Sequence, residues 1–224
     1  MSTELACIEI TTSNQPEFSV IWLHGLGADG NDFAPIVPEL KVDDIPIRFV
    51  FPHAPIMPIT INGGMPMRAW YDLYMMDLVR HEDEKGLREA QQLVQALIAR
   101  ENARGIPTER IVLAGFSQGC AMTLQTGLRL EEKLAGMVCL SGYLPLADKV
   151  AAERHAANQN TPIFMAHGQQ DPVVPLIRAE ESRQRLNALG YDIEWHTYPM
   201  PHSVCAEEVS AISQFLKRVL ARVD

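Results

Sequence analysis

The sequence predicts an α/β protein with a mainly parallel central sheet and helices on both faces. Three observations carry this. Short apolar, β-branched segments of strand length recur along the chain. Helix-period segments separate most of them. Several of the strand segments are apolar throughout rather than alternating, as expected when a sheet is covered on both sides. Strands that alternate with helices pair in parallel, and in such sheets the chemistry collects beyond the carboxyl ends of the strands.

Taken in order, residues 5–10 and Phe18-Ser-Val-Ile-Trp-Leu23 read as strands, and the second runs straight into His24-Gly-Leu-Gly-Ala-Asp-Gly30. Ile47-Arg-Phe-Val-Phe51 is the next strand and ends at Pro52-His-Ala-Pro55. Residues 54–78 are expected to be irregular, because Pro55, Pro58, Gly63, Gly64 and Pro66 interrupt any regular element. This stretch holds five of the ten methionines, with Trp70, Tyr71 and Tyr74, so it is either packing or one wall of an apolar groove. A helix is expected over 84–104, where Leu87, Ala90, Val94, Leu97 and Ile98 share one face and Gly105 suits the cap. A strand over 110–116 precedes a helix over 120–130. Strands follow over 136–141, 162–167 and 192–198, with helices over 175–189 and 206–222.

At 224 residues the chain suits one domain spanning 1–224, since α/β folds often exceed about 150 residues as a single unit. The formal charge of −9 argues against nucleic acid and against an anionic membrane surface. No apolar run approaches the roughly 18 residues that span a bilayer. Met1-Ser-Thr-Glu-Leu5 has no basic region leading into an apolar core, so a secretory signal is not expected. Cys7, Cys120, Cys139 and Cys205 form no C-x-x-C pair and no zinc pattern, which suits free thiols in a reducing cytoplasm.

Gly115-Phe-Ser-Gln-Gly119 lies between the 110–116 strand and the helix after it. A Gly-x-Ser-x-Gly in that context makes a tight strand-to-helix turn that lifts the serine clear of the sheet, so Ser117 is the candidate nucleophile. Serine needs a base within hydrogen-bond reach. His81 and His155 sit in polar surroundings; His24, His53 and His167 lie in turns bracketed by Gly or Pro, where a structural hydrogen bond is the commoner role. Only His196 and His202 follow every candidate acid, as the order Ser, acid, His requires. His202 is favoured, because it follows a strand and opens onto a helix, whereas His196 lies within a strand, facing the same way as Glu194 and Tyr198. Asp171 is the favoured acid over Asp148, whose place at the start of a charged helix suits capping. Gln118, after the nucleophile, and Leu26, in the glycine-rich loop after an early strand, would supply oxyanion amides.

A rival reading takes Gly25-x-Gly27-x-x-Gly30 as a dinucleotide fingerprint. It is disfavoured on two grounds. Asn31, Asp32 and Pro35 stand where a helix should open, and the following strand ends in Phe51-Pro-His53 rather than an acid.

His24-Gly-Leu-Gly27, Phe51-Pro-His-Ala-Pro55, Arg68-Ala-Trp-Tyr-Asp72, the elbow, His167-Gly168 with Asp171 and Val174-Pro175, and His202 together resemble the carboxylesterase and acyl-protein thioesterase family of the α/β-hydrolase superfamily. The resemblance implies an α/β-hydrolase fold and a triad of Ser117, Asp171 and His202. It implies oxyanion amides at Leu26 and Gln118, no cofactor and no metal. Substrates would be small esters, lysophospholipids or acylated proteins. Some members form dimers, so a homodimer is a further expectation. Two positions depart from the family pattern: Cys120 stands where a further glycine is common, and Ala28-Asp29 replaces a more usual acidic-first pair. Trp70 and Met65 are expected to bind the acyl chain, because their segment leaves the sheet at the same edge as the elbow. A non-catalytic binding protein on the same scaffold is the competing class.

Overall fold

The computed structural model describes residues 4–74 and 82–221. The elements in chain order are β1 (Cys7–Thr11), β2 (Phe18–Leu23), α1 (Gly30–Phe33), α2 (Val37–Leu40), β3 (Ile47–Pro52), β4 (Ile56–Ile59), β5 (Met65–Arg68), α3 (Glu84–Ala103), β6 (Ile111–Phe116), α4 (Gln118–Gly127), β7 (Gly136–Leu140), α5 (Ala147–Glu153), β8 (Ile163–Gly168), α6 (Leu176–Ala188), β9 (Ile193–Tyr198) and α7 (Ala206–Val219). Seven strands form one sheet in the order β1-β3-β2-β6-β7-β8-β9. Only β1 runs antiparallel to its neighbour; every other pair is parallel. Among the described residues no helix is long and apolar enough to cross a membrane.

The fully apolar strands explain the two-sided cover. Along β2, Val20 and Trp22 enter one core while Ile21 and Leu23 enter the other, as the two-residue period dictates. On one face Ile21, Leu113 and Met165 pack under Leu87, Val94 and Leu97 of α3 and Met122 and Leu124 of α4. On the other, Trp22, Phe49 and Phe164 pack with Leu40 of α2 and Ile212 and Phe215 of α7. All ten residues of α4 are buried, because the helix lies between the sheet and α3.

Parallel register aligns the strand ends. Leu23 pairs with Gly115, Phe116 with Leu140, Leu140 with Ala166, and Gly168 with Tyr198. The loops after β2, β3, β6, β7, β8 and β9 therefore leave from a common edge.

Two expectations need correction. Residues 54–74 are not irregular throughout. β4 and β5 form an antiparallel hairpin with Met57 opposite Met67, Pro58 opposite Pro66 and Ile59 opposite Met65. The prolines face each other at the pair whose N–H groups point out of the ribbon, so neither removes a rung. The bond from the Ala69 amide to the Pro55 carbonyl (3.0 Å) continues that pattern. The chain also turns helical directly at Gly30, capped by the Asp29 side chain on the Asn31 amide, so the first argument against a phosphate loop fails. The second stands: β3 ends in Phe51-Pro52 and passes to His53.

The elbow is built by close approach. A Cβ on Gly115 would lie 2.2 Å from the Gly119 backbone, and one on Gly119 would lie 2.0 Å from the Leu23 carbonyl oxygen. Two backbones thus meet where only glycine fits. Beneath them Cys120 is fully buried, and Gly142 leaves room for its thiol, since a Cβ there would be 2.5 Å from the sulfur.

In the first turn of α7, Glu208 is fully buried and neither carboxyl oxygen makes a hydrogen bond among the described residues. Burial pushes its carboxyl up to about 8, with the nearby Cys205 backbone opposing. Glu82, partly buried and accepting from the Leu146 amide, is pushed up to about 7 by the same cause.

Gly119→Ala should cost about 3 kcal/mol of stability, lowering Tm by roughly 10 °C in a thermal melt, because backbone on both sides must move. An unchanged Tm would contradict the packing. For Glu208 the folded state binds its proton more tightly than the unfolded state. Its contribution is therefore fully present below the ordinary carboxyl range and is lost as pH rises through about 8. The Tm of Glu208→Gln relative to the parent should rise between about pH 5 and pH 9. A pH-independent difference would show that Glu208 is ionised in the fold.

Candidate active site

Ser117 sits between β6 and α4 with φ 57° and ψ −117°, a backbone conformation rare for any residue with a side chain. Such strain costs on the order of 1–3 kcal/mol and persists only where the surroundings enforce it. Here the Ser117 amide donates to the Leu140 carbonyl (2.9 Å) and its carbonyl accepts from the Ala121 amide (3.2 Å). The side chain is thereby turned away from the sheet and remains partly accessible.

Asp171 and His202 come from different loops that are stitched together. The Gln169 and Gln170 amides donate to the carbonyls of Tyr198 (2.8 Å) and Met200 (3.1 Å). A Cβ on Gly168 would lie 2.3 Å from the Pro201 carbonyl oxygen, so glycine permits this approach. Asp171 is 8% exposed; its Oδ1 accepts from the amides of Val173 (2.8 Å) and Val174 (2.9 Å), and its Oδ2 lies 2.6 Å from His202 Nδ1. A carboxylate can only accept, so Nδ1 carries the proton and Nε2 is left as the basic nitrogen. The His202 ring lies 4.7 Å from that of Phe116, the residue before Ser117.

The loop after β2 abuts the serine: a Cβ on Gly25 would lie 3.2 Å from Ser117 Cβ. His24 sets the direction of this loop. Its Nε2 accepts from the Ala54 amide (3.0 Å), so Nδ1 holds the hydrogen and donates to the Gly25 carbonyl (2.7 Å). The peptide bond is planar and trans, so pinning the Gly25 carbonyl aims the Leu26 N–H the opposite way, away from His24. Among the described residues neither the Leu26 nor the Gln118 amide has a hydrogen-bond acceptor. That leaves two donors beside Ser117, one of them at the N-terminus of α4.

The remaining histidines take structural roles. Burial pushes the His24 and His167 imidazoles down, favouring their neutral forms. His167 Nε2 donates to the Val174 carbonyl (2.8 Å), steadying the Asp171 loop. His53 accepts from the Gly30 amide (3.1 Å), and His155 from the Ala157 amide (3.2 Å). His196 contacts Glu194 (3.0 Å) and stacks against Phe164 and Tyr198, so it turns away from Asp171. His81 lies outside the described residues. Asp148 binds Arg185 on the surface.

The two residues expected at the acyl chain part company. Met65 is 62% exposed on the hairpin, whereas Trp70 is 3% exposed and faces the core beneath the loop after β2. The reason is polar: its indole N–H donates to the His24 carbonyl (2.9 Å), which fixes the ring indoors. Met67 lies against the loop after β2, its sulfur 3.8 Å from where a Cβ on Gly27 would be. Sequence reasoning missed the use of residues 68–72 as a strap. Arg68 binds the Ala54 carbonyl, Tyr71 shares a hydrogen bond with Tyr143, and Asp72 accepts from the Thr60 amide. The available signal was a run of hydrogen-bonding side chains inside a segment broken by Pro and Gly.

The family model for phospholipase/carboxylesterase matches residues 5–220. The chain is 44% identical over 217 residues to acyl-protein thioesterase 1 of Neurospora crassa, covering 92% of this chain and 88% of that protein. It is 39% identical over 231 residues to acyl-protein thioesterase 1 of Gibberella zeae, covering 98% and 97%. The crystal structure of Arabidopsis thaliana SOBER1 superposes with a TM-score of 0.85 at 31% identity, over 91% of this chain and 99% of that one. With the seven-stranded sheet and the loops at its carboxyl edge, these likenesses show that the chain belongs to the phospholipase/carboxylesterase family of α/β-hydrolases.

Proposed function

We propose that this hydrolase cleaves carboxylic esters and thioesters with an apolar acyl chain through an acyl-enzyme on Ser117. His202 Nε2 takes the proton of the serine hydroxyl as Oγ attacks the carbonyl carbon. Asp171 holds the ring in the required tautomer and stabilises its charged form. The Leu26 and Gln118 amides receive the oxyanion of the tetrahedral intermediate. His202 then protonates the departing alkoxide or thiolate. Water, deprotonated by the same nitrogen, attacks the acyl-enzyme and releases the acid. The observation that carries this reading is the 2.6 Å contact between Asp171 and His202, at the sheet edge where Ser117 is held in its strained turn.

Acylated proteins are the favoured substrates, since acyl-protein thioesterases from two fungi share 39–44% of their residues with this chain. Exposed apolar side chains support an apolar acyl group: Ile56 and Met65 on the hairpin, Val173 and Ile177 after Asp171. Four unpaired cysteines suit action in the reducing cytoplasm. The whole chain acts as one catalytic domain, because site residues come from loops spread between positions 24 and 202.

A fluorophosphonate probe should label the parent protein and leave Ser117→Ala unlabelled, with esterase activity down by about 1,000-fold or more and Tm little changed. Asp171→Asn and His202→Ala should each lose most activity, and the double variant little more than the worse single one. Labelling of Ser117→Ala, or additive losses, would refute the assignment. Met65→Ala should reduce kcat/KM more for octanoyl than for acetyl esters, at about 0.8 kcal/mol per methylene left unburied. Equal losses on both would remove Met65 from the acyl site.

A further inference from the structure

We propose that Trp70 is a positioning residue for the oxyanion site, acting with the Gln118 side chain as a brace that fixes the two donor amides relative to each other. The proposal rests on the reading of Ser117, Leu26 and Gln118 given above.

Gln118 has two parts with separate duties. Its backbone amide is one proposed donor, yet its side chain is buried and hydrogen-bonded through both its oxygen and its nitrogen. Oε1 accepts from the Trp70 amide (3.1 Å) and Nε2 donates to the Tyr71 carbonyl (2.9 Å). The amide side chain thus meets the backbone of residues 70–71 on both its edges, which fixes its rotation as well as its place. From that anchored backbone the Trp70 indole reaches the other donor loop. Its Nε1–H binds the His24 carbonyl at 2.9 Å and its ring lies 5.4 Å from the His24 imidazole. His24 in turn holds the Gly25 carbonyl, the far side of the peptide that carries the Leu26 N–H. Two successive carbonyls of the loop are therefore clamped, one by the indole and one by the imidazole. The Gly27 amide closes the frame by donating to the Arg68 carbonyl at 2.8 Å, two residues before Trp70.

The brace is needed because the donors come from separate elements. Leu26 belongs to the loop after β2 and Gln118 to the start of α4. An oxyanion site works only if both N–H groups point at one spot before the charge develops. A displacement of about 1 Å at such a site can cost on the order of 100-fold in rate. The ring and amide of Trp70 and Gln118 are almost wholly shielded from solvent, so they can act on the reaction only through these contacts. In this proposal Trp70 acts through the loop after β2 and not by contact with the acyl chain.

Trp70→Phe tests it, because phenylalanine keeps most of the ring and removes the N–H. Activity is measured on p-nitrophenyl acetate and p-nitrophenyl octanoate, normalised to sites titrated with a fluorophosphonate, alongside Tm. The brace predicts that kcat per titrated site falls about 10- to 100-fold by the same factor on both esters. KM and the chain-length preference stay unchanged, and the adduct stays on Ser117. Gln118→Met, which keeps the length and the backbone amide, should reproduce the loss and also serves if Trp70→Phe fails to fold. The double variant should lose little more than the worse single one. A loss confined to octanoate and expressed in KM would overturn the proposal and make Trp70 an acyl contact. A lower Tm with kcat per site unchanged would overturn it in favour of packing alone. Absence of labelling at Ser117 in the parent protein would instead sink the underlying site assignment.

Discussion

The close approach of backbones at residues 115–119 is the constraint on which the rest of the structure depends. Gly119 packs against the Leu23 carbonyl and Gly115 packs against Gly119, so strand β6 and helix α4 must reverse direction within one residue. That residue is Ser117, and its unusual torsions follow from the reversal. The same contact ties α4 to the end of β2, where the loop carrying Leu26 begins. The proposed nucleophile and oxyanion donors are thus positioned by the packing that builds the core. Strain at the serine is repaid by burial of all of α4 between the sheet and α3.

Around this point the protein uses histidine in two ways. At His24 and His167 the ring is buried, shifted toward its neutral form and engaged with backbone carbonyls. These rings hold loops. At His202 the ring faces a carboxylate that is itself held by two amides, and it stays partly accessible. That ring has a carboxylate as its partner rather than a backbone carbonyl. Sequence neighbours do not distinguish the two uses; whether the ring's hydrogen bond runs to a backbone carbonyl or to a carboxylate does.

Much of this was legible in the sequence, for physical reasons. The inner strands β2, β3, β6, β7 and β8 were readable because burial on both faces forces apolar runs, and the half-buried edge strands β1 and β9 by alternation. That the loops carrying Ser117, Asp171 and His202 leave one edge of the sheet was readable, because parallel topology brings loops after strands to that edge. The hairpin at 56–68 was not readable. Proline is a strand breaker in general and is harmless only when its missing N–H would face outward, which depends on register. The helical turn at Gly30 was missed because four residues leave no periodic signal. The burial of Trp70 was not readable, since the His24 carbonyl that draws its indole inward lies 46 positions away in the chain.

In the proposed mechanism Ser117 attacks a carbonyl whose oxygen is received by the Leu26 and Gln118 amides while His202, aligned by Asp171, manages the proton. The most direct measurement is a crystal structure of the fluorophosphonate adduct. The account predicts phosphorus bonded to Ser117 Oγ, with the phosphoryl oxygen about 2.7–3.1 Å from both amide nitrogens. His202 Nε2 should lie within about 3.2 Å of Oγ or of the leaving-group position. A phosphoryl oxygen turned toward solvent with both amides unengaged, or an adduct on another residue, would contradict it.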